Sequence, residues 1–447
     1  MLTAKSITGR AGSMAITAAA TLLVLIPLLY NGTPLYYPDS MGYIFWGQMW
    51  DPVPERVSSY AAFIRVAAMG RDLWIPILIQ GLCTVLVLIR LWKLLTGEKP
   101  SSGFLFIVFL LGLLSPLGWT ASTLMPDIFC VLSSIYLYFI IFPEKGQRFS
   151  VADLLLFSLC TSQHLSAVII NLALLLIICA WLLLKKGPVR LLKAAIPAFT
   201  GIAMALLITG LIHWSMSRQF FISRSGPAFL TARLAETGVA TRYLGRNPQS
   251  FPEFQSLHYR FPMPAEHFLW KPDSPIKELG GINDDKGLMR KFTRSVLTDP
   301  SSLFLFFKAG IKSGMKQFFL LDVGDGLIAA DCLQLTFYLE NQAEYINARQ
   351  HFGIDFEKFN NFSFIFWCVP VLIFILTGSV SRLSPESKHL GVFIIIMLII
   401  NALVNGTLST PLNRYQVRVF WLVYFWLLAA LYPTVKNLSS YFRNQHT

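Results

Sequence analysis

Pro34-Leu35-Tyr36-Tyr37-Pro38-Asp39-Ser40-Met41-Gly42-Tyr43 follows directly on an uncharged apolar run, about Ser13 to Tyr30. A run of that kind is read as a membrane span, so the decapeptide stands at a membrane edge. It places one carboxylate, Asp39, among three tyrosines and two prolines. Pro38 fixes its own φ and biases Tyr37 towards extended backbone, which predicts a stiff turn. A carboxylate in such partly apolar surroundings can accept a proton or bind a ligand. It can equally be a helix N-cap, since Asp39 precedes the plausibly helical Met41 to Trp50.

Composition supports the membrane reading. Of 447 residues, 54% are hydrophobic and only 14% charged, and the mean hydropathy is +0.56. Continuous apolar runs with few charges indicate an all-α polytopic membrane protein, and they exclude the alternating pattern of a β-barrel. The net charge of +13 does not point to nucleic acid, because no basic cluster is interleaved with stacking aromatics. Membrane lipids and lipid phosphates are the expected partners. Cys83, Cys130, Cys160, Cys179 and Cys368 sit in apolar spans and Cys332 in a polar stretch. No pair has zinc-ligand spacing, and no disulfide framework is expected.

At about 20 residues per crossing, the chain has room for roughly ten spans. The first, preceded by Lys5 and Arg10, is uncleaved, since its most hydrophobic part lies beyond Ala18-Ala19-Ala20. Residues 31–72 form an outer loop with a short interfacial helix at Tyr60 to Met69. Further spans are expected at about Leu73–Leu95, Phe104–Thr120, a fourth opening at Asp127, Ala152–Ser162, Leu165–Leu184 and Ala194–His213. The last three lie at about Phe362–Leu376, Gly391–Leu403 and Val419–Leu431. Arg90, Lys93, Lys99, Lys145, Arg148, Lys185, Lys186, Arg190, Lys193, Arg382, Lys388, Lys436 and Arg443 then fall on one side, which predicts cytoplasmic N- and C-termini in a plasma (inner) membrane. This divides the chain into an N-terminal membrane domain (1–213), an extracytoplasmic region (214–360) and a C-terminal membrane domain (361–447). Within the middle region, about 303–321 is apolar but carries Lys308, Lys312 and Lys316 one turn apart. With Phe304, Leu305, Phe307, Ile311 and Phe318 expected opposite the lysines, it reads as an interfacial amphipathic helix.

This topology brings Asp39, Asp127, His164, Arg414 and the lysine stripe to one membrane face. Ionisable groups at membrane depth are costly, so they are usually paired or functional. Each also has a structural explanation. Asp127, after Pro126, suits a helix N-terminus; His164 could be hydrogen-bonded within a bundle. Arg414 and Arg418 could snorkel to head groups, and the lysines could form a solvated face.

The order of features resembles the polyprenyl-phosphate-sugar-dependent glycosyltransferases of the GT-C fold, such as protein O-mannosyltransferases and the enzymes adding aminoarabinose to lipid A. The likeness rests on Tyr37-Pro38-Asp39-Ser40 with Tyr43, on Pro126-Asp127, and on Arg414-Tyr415 before the last span. It implies that Asp39 is the catalytic base, with Asp127 and His164 as further candidates. It also implies that Tyr37, Tyr43 and Tyr415 line a sugar site, and that Arg414, Arg418 and a lysine of the stripe hold the donor's phosphate. The acceptor would be a glycan, lipid or protein. Many such enzymes carry two adjacent acidic residues where this chain has Asp39-Ser40, which leaves a divalent metal and a second acidic partner open. A transporter or lipid flippase is the main alternative, although no internal repeat is visible. A membrane acyltransferase using His164, with Gln163 as its thin support, and an envelope scaffold are others.

Overall fold

The computed structural model describes residues 4–143, 150–327, 338–376, 378, 381 and 383–445. Cys332, Lys145, Arg148 and Arg382 lie outside them. The protein is an all-helical, multi-pass membrane protein. Among the described residues, six helices are long and apolar enough to cross a membrane, or seven if one bent pair is a single span.

The N-terminal bundle contains α1 (Ala4–Val24), α2 (Pro38–Met49), α3 (Ser59–Ala68), α4 (Trp74–Thr96) and α5 (Ser102–Leu114). It continues with α6 (Asp127–Ile141), α7 (Val151–Ser162), α8 (Leu165–Lys186) and α9 (Pro188–Ser217). The stretch expected as one span over Phe104–Thr120 is instead bent by 77° between α5 and a short helix, Pro116–Ser122. Ser115 precedes a proline and is therefore extended (φ −128°, ψ 166°), and its hydroxyl caps the Leu117 N–H. The bend carries Thr123 against Leu35. Leu35 N–H donates to Ser122 O and Leu124 N–H to Leu35 O, so the Asp39 turn is stitched to the Asp127 turn. α6 is buried along its whole length at the centre of the bundle.

Residues beyond α9 build a second apolar core, in which Phe254 and Phe292 stack with centroids 4.0 Å apart. α10 (Pro300–Phe318) joins that core through Phe306. α11 (Phe356–Leu376), α12 (Pro385–Leu408) and α13 (Asn413–Gln445) follow.

The amphipathic division expected for α10 is not the one it adopts. Phe304, Phe307 and Ile311 are exposed like the three lysines, on the same outward arc. The buried face is made of Ser302, Phe306, Gly310, Gly314 and Gln317. Small residues let backbones approach: a Cβ on Gly406 of α12 would lie 2.6 Å from Gly314 Cα. Packing against α12 therefore selected the glycine side of α10, which an apolar-versus-charged division does not register.

Candidate functional site

Pro38 starts α2, so Asp39 sits in its first turn and not at the cap. The local turn is held by Ser40, whose hydroxyl accepts from Tyr37 N–H and donates to Leu124 O. That frees the Asp39 carboxylate, and the N-cap explanation fails. One oxygen accepts from Arg414 Nη1 at 2.9 Å and the other from Arg56 Nη2 at 2.6 Å. All three side chains keep about a fifth of their surface exposed (20%, 19% and 23% respectively). Burial disfavours the charged carboxylate, but Arg414 and Arg56 outweigh that and hold it below the usual carboxylate range.

A second pair lies directly behind. Arg418, one turn beyond Arg414 on α13, donates from Nη1 to Asp127 Oδ1 at 2.9 Å; its side chain is 1% exposed. Its other terminal nitrogen donates to Ser166 Oγ at 3.0 Å, to Asn401 Oδ1 at 3.2 Å and to Asn405 Oδ1 at 3.4 Å. Arg418 is thus a buried, multiply bonded strut between α13, α6, α8 and α12, and it does not snorkel.

His164 belongs to this strut. As the N-cap of α8 its Nδ1 accepts from Ser166 N–H at 3.1 Å and lies 2.8 Å from Ser166 Oγ. With Ser166 Oγ accepting from Arg418, its own proton goes to Nδ1, which places the imidazole proton on Nε2. This satisfies the bundle-histidine explanation and leaves Nδ1 unavailable as a base.

The tyrosines divide in the same way. Arg414 lies between Tyr37 and Tyr415, with Cζ 5.4 and 5.2 Å from the ring centroids. Gly326, at φ +86°, lies over Tyr37; a Cβ there would fall 2.5 Å from the ring, so only glycine closes this contact. Tyr43 is buried edge-on against Tyr60 and beneath Arg56, and so supports the arginine without facing a ligand space. The lysine stripe is not brought in: Lys308, Lys312 and Lys316 are exposed on the arc of α10 opposite its packed face.

Tyr37, Trp119, Asp127, Asp322, Arg414 and Arg418 line a cavity of about 30 Å³, room for about one water molecule. Among its lining groups, Asp127 Oδ2, Trp119 Nε1 and the Nε atoms of Arg414 and Arg418 are buried with no hydrogen-bond partner among the described residues. The donor set does not fit a divalent cation. Asp127 and Asp322 face Arg414 and Arg418 across the cavity, Asp39 is held by Arg414 and Arg56 beside it, and no cluster of three His, Cys, Asp or Glu among the described residues could hold a metal.

Sequence reasoning missed Arg56, Ser166, Asn401 and Asn405. Asn401 and Asn405 did leave a signal: two amides one turn apart in an apolar span need a polar partner. Arg56, in an irregular loop, left none. No protein-family model, curated protein or solved structure matches the chain.

Proposed function

We propose that the protein is an integral membrane glycosyltransferase. It moves a sugar from a polyprenyl-phosphate donor to an envelope glycan, lipid or protein acceptor on the extracytoplasmic face. The observation that carries this reading is Asp39, held at the bundle edge between two arginines and beside the Tyr37–Arg414–Tyr415 stack. The donor phosphate draws Arg414 from Asp39, which returns the carboxylate towards its ordinary basicity. Asp39 then takes the proton of the acceptor hydroxyl or amine as that atom attacks the anomeric carbon. The bond between that carbon and the phosphate oxygen breaks, and the leaving phosphate keeps the electron pair against Arg414. A single displacement of this kind inverts the anomeric centre.

The same reading completes the topology. We infer that the bent pair and the shorter apolar helices α1, α6 and α7, tilted or partly re-entrant, join the six long helices in a GT-C-like arrangement of about ten spans, with both termini cytoplasmic in the inner membrane. α10 lies along the outer interface, its exposed lysines against lipid phosphates. The cavity of about 30 Å³ is too small for a sugar, so donor entry requires the Gly326 segment or the Arg56 loop to open.

Transport without transfer draws on one observation, the polar group Asn171, Ser133, Ser134 and Thr161 within the bundle. Its members are hydrogen-bonded to one another, which argues for a structural tie. The test is mass spectrometry of envelope glycans and glycolipids from a deletion strain carrying wild type, Asp39→Asn or empty vector at matched membrane expression. Loss of one sugar-sized mass with empty vector and with Asp39→Asn is expected. Unchanged glycans in every strain would sink the transferase and favour transport.

A further inference from the structure

A second concavity lies far from the Asp39 site. α9 starts at Pro188 and reaches His213 near its other end, where His213 Nε2 accepts from Ser58 N–H in the loop that carries Arg56. Lys193 is 20 residues earlier on the same helix, about 30 Å away at 1.5 Å per residue. That distance is the thickness of a bilayer core, so Lys193 lies at the opposite membrane face from Asp39.

At this end α9, with Leu154 of α7, borders an open groove of about 410 Å³ lined by Leu154, Leu192, Lys193, Ile196, Pro197 and Thr200. Its origin is local. The helices are in close contact at Gly201, where a Cβ would fall 2.4 Å from the Phe157 ring. One turn earlier, Pro197 supplies no N–H to the Lys193 carbonyl, and its ring replaces a longer side chain. Leu192 and Ile196 stand exposed beside it, 56% and 61% accessible. Lys193 and Thr200 are exposed two turns apart on the same strip, with Pro197 between them. The groove is therefore apolar along its length with a single ammonium group at the membrane-edge end.

We infer that this groove is a binding site for an anionic glycerophospholipid of the leaflet opposite the Asp39 site. One acyl chain lies along Leu154, Ile196 and Pro197, and the head-group phosphate meets Lys193. The charge pattern selects this occupant: an apolar trough on a membrane helix is filled by a chain, and the cation at its interfacial end favours an anionic head group over a zwitterionic one. The site shares no residue with the Asp39 cavity, so it stands whether or not the protein transfers sugars.

Native mass spectrometry of the full-length protein tests it, after equilibration in detergent with equal amounts of dioleoyl phosphatidylglycerol and dioleoyl phosphatidylcholine. Wild type is expected to retain phosphatidylglycerol about fivefold over phosphatidylcholine, the scale of one basic residue at an anionic surface. Lys193→Gln should abolish that preference, Thr200→Trp should fill the groove and remove the retained lipid, and Lys185→Gln should change neither. Equal retention of both lipids by wild type, or a preference that survives Lys193→Gln, overturns the proposal. So does full retention by a Thr200→Trp protein that melts like wild type; if that variant does not fold, the Lys193→Gln comparison decides alone.

Discussion

Two arginine–carboxylate pairs sit one helical turn apart on α13, and their surroundings give them different work. Arg418–Asp127 is sealed, with the arginine 1% exposed and bonded to three further side chains. Arg414–Asp39 keeps about a fifth of its surface open, 19% and 20%, and shares its carboxylate with Arg56 from a loop. A buried pair is costly to break because the surviving charge loses its partner and gains little water in exchange. An open pair exchanges partners cheaply, as a site that must admit a charged ligand requires. The inner pair builds the frame and the outer one is available for chemistry.

The largest expected effect breaks the inner pair. Arg418→Ala leaves Asp127 buried and unpaired, and should cost about 3–5 kcal/mol, seen as a large fall in the detergent melting temperature. Arg418→Leu combined with Asp127→Leu should recover most of it, since the pair owes its cost to the lone charge. A double variant no more stable than Arg418→Ala would show that the amide and serine bonds carry the strut instead.

At the outer pair the balance should reverse. Asp39→Asn is expected to shift stability by less than about 1 kcal/mol, while the glycan product disappears. Loss of folded protein with Asp39→Asn would merge the two pairs into one structural unit.

pH separates them more finely. The folded Asp39 carboxyl is held below its ordinary value, so its stabilisation is complete above the unfolded value of about 3.9 and is lost as pH falls through the lower folded value. The melting difference between wild type and Asp39→Asn should stay flat from about pH 8 to pH 5 and vanish only in stronger acid. A difference that fades near pH 6 would mean that Arg56 and Arg414 do not hold the carboxylate in solution. The smallest effect belongs to the stripe: replacing Lys308, Lys312 and Lys316 together with glutamine should change stability by about 0.5 kcal/mol or less.

Much of this was legible beforehand where a signal is local. Apolar runs show the spans, and Ser115-Pro116 carries the bend, since a pre-proline serine is an extended cap wherever it occurs. Hydropathy alone still predicts one straight span over Phe104–Thr120, because the residues on both sides of the bend are apolar. The lysine stripe was visible, but its role depended on which face α10 packs, and Gly310 and Gly314 settled that. Asp39 looked like a cap because caps are local; its actual partners lie 17 and 375 residues away.

The sequence by itself determined that the protein is helical and crosses a membrane several times, and it predicts Asp39, Asp127, His164 and Arg414 at the ends of apolar segments. Hydropathy and turn chemistry act over a few residues and can be read from them. Only the tertiary structure decided which charges touch. It paired Asp39 with Arg414 and Arg56, turned His164 and Asp127 into parts of a strut around Arg418, and left the lysines outside. Pairing of buried charges depends on distances between helices remote in sequence, and no local pattern encodes those distances.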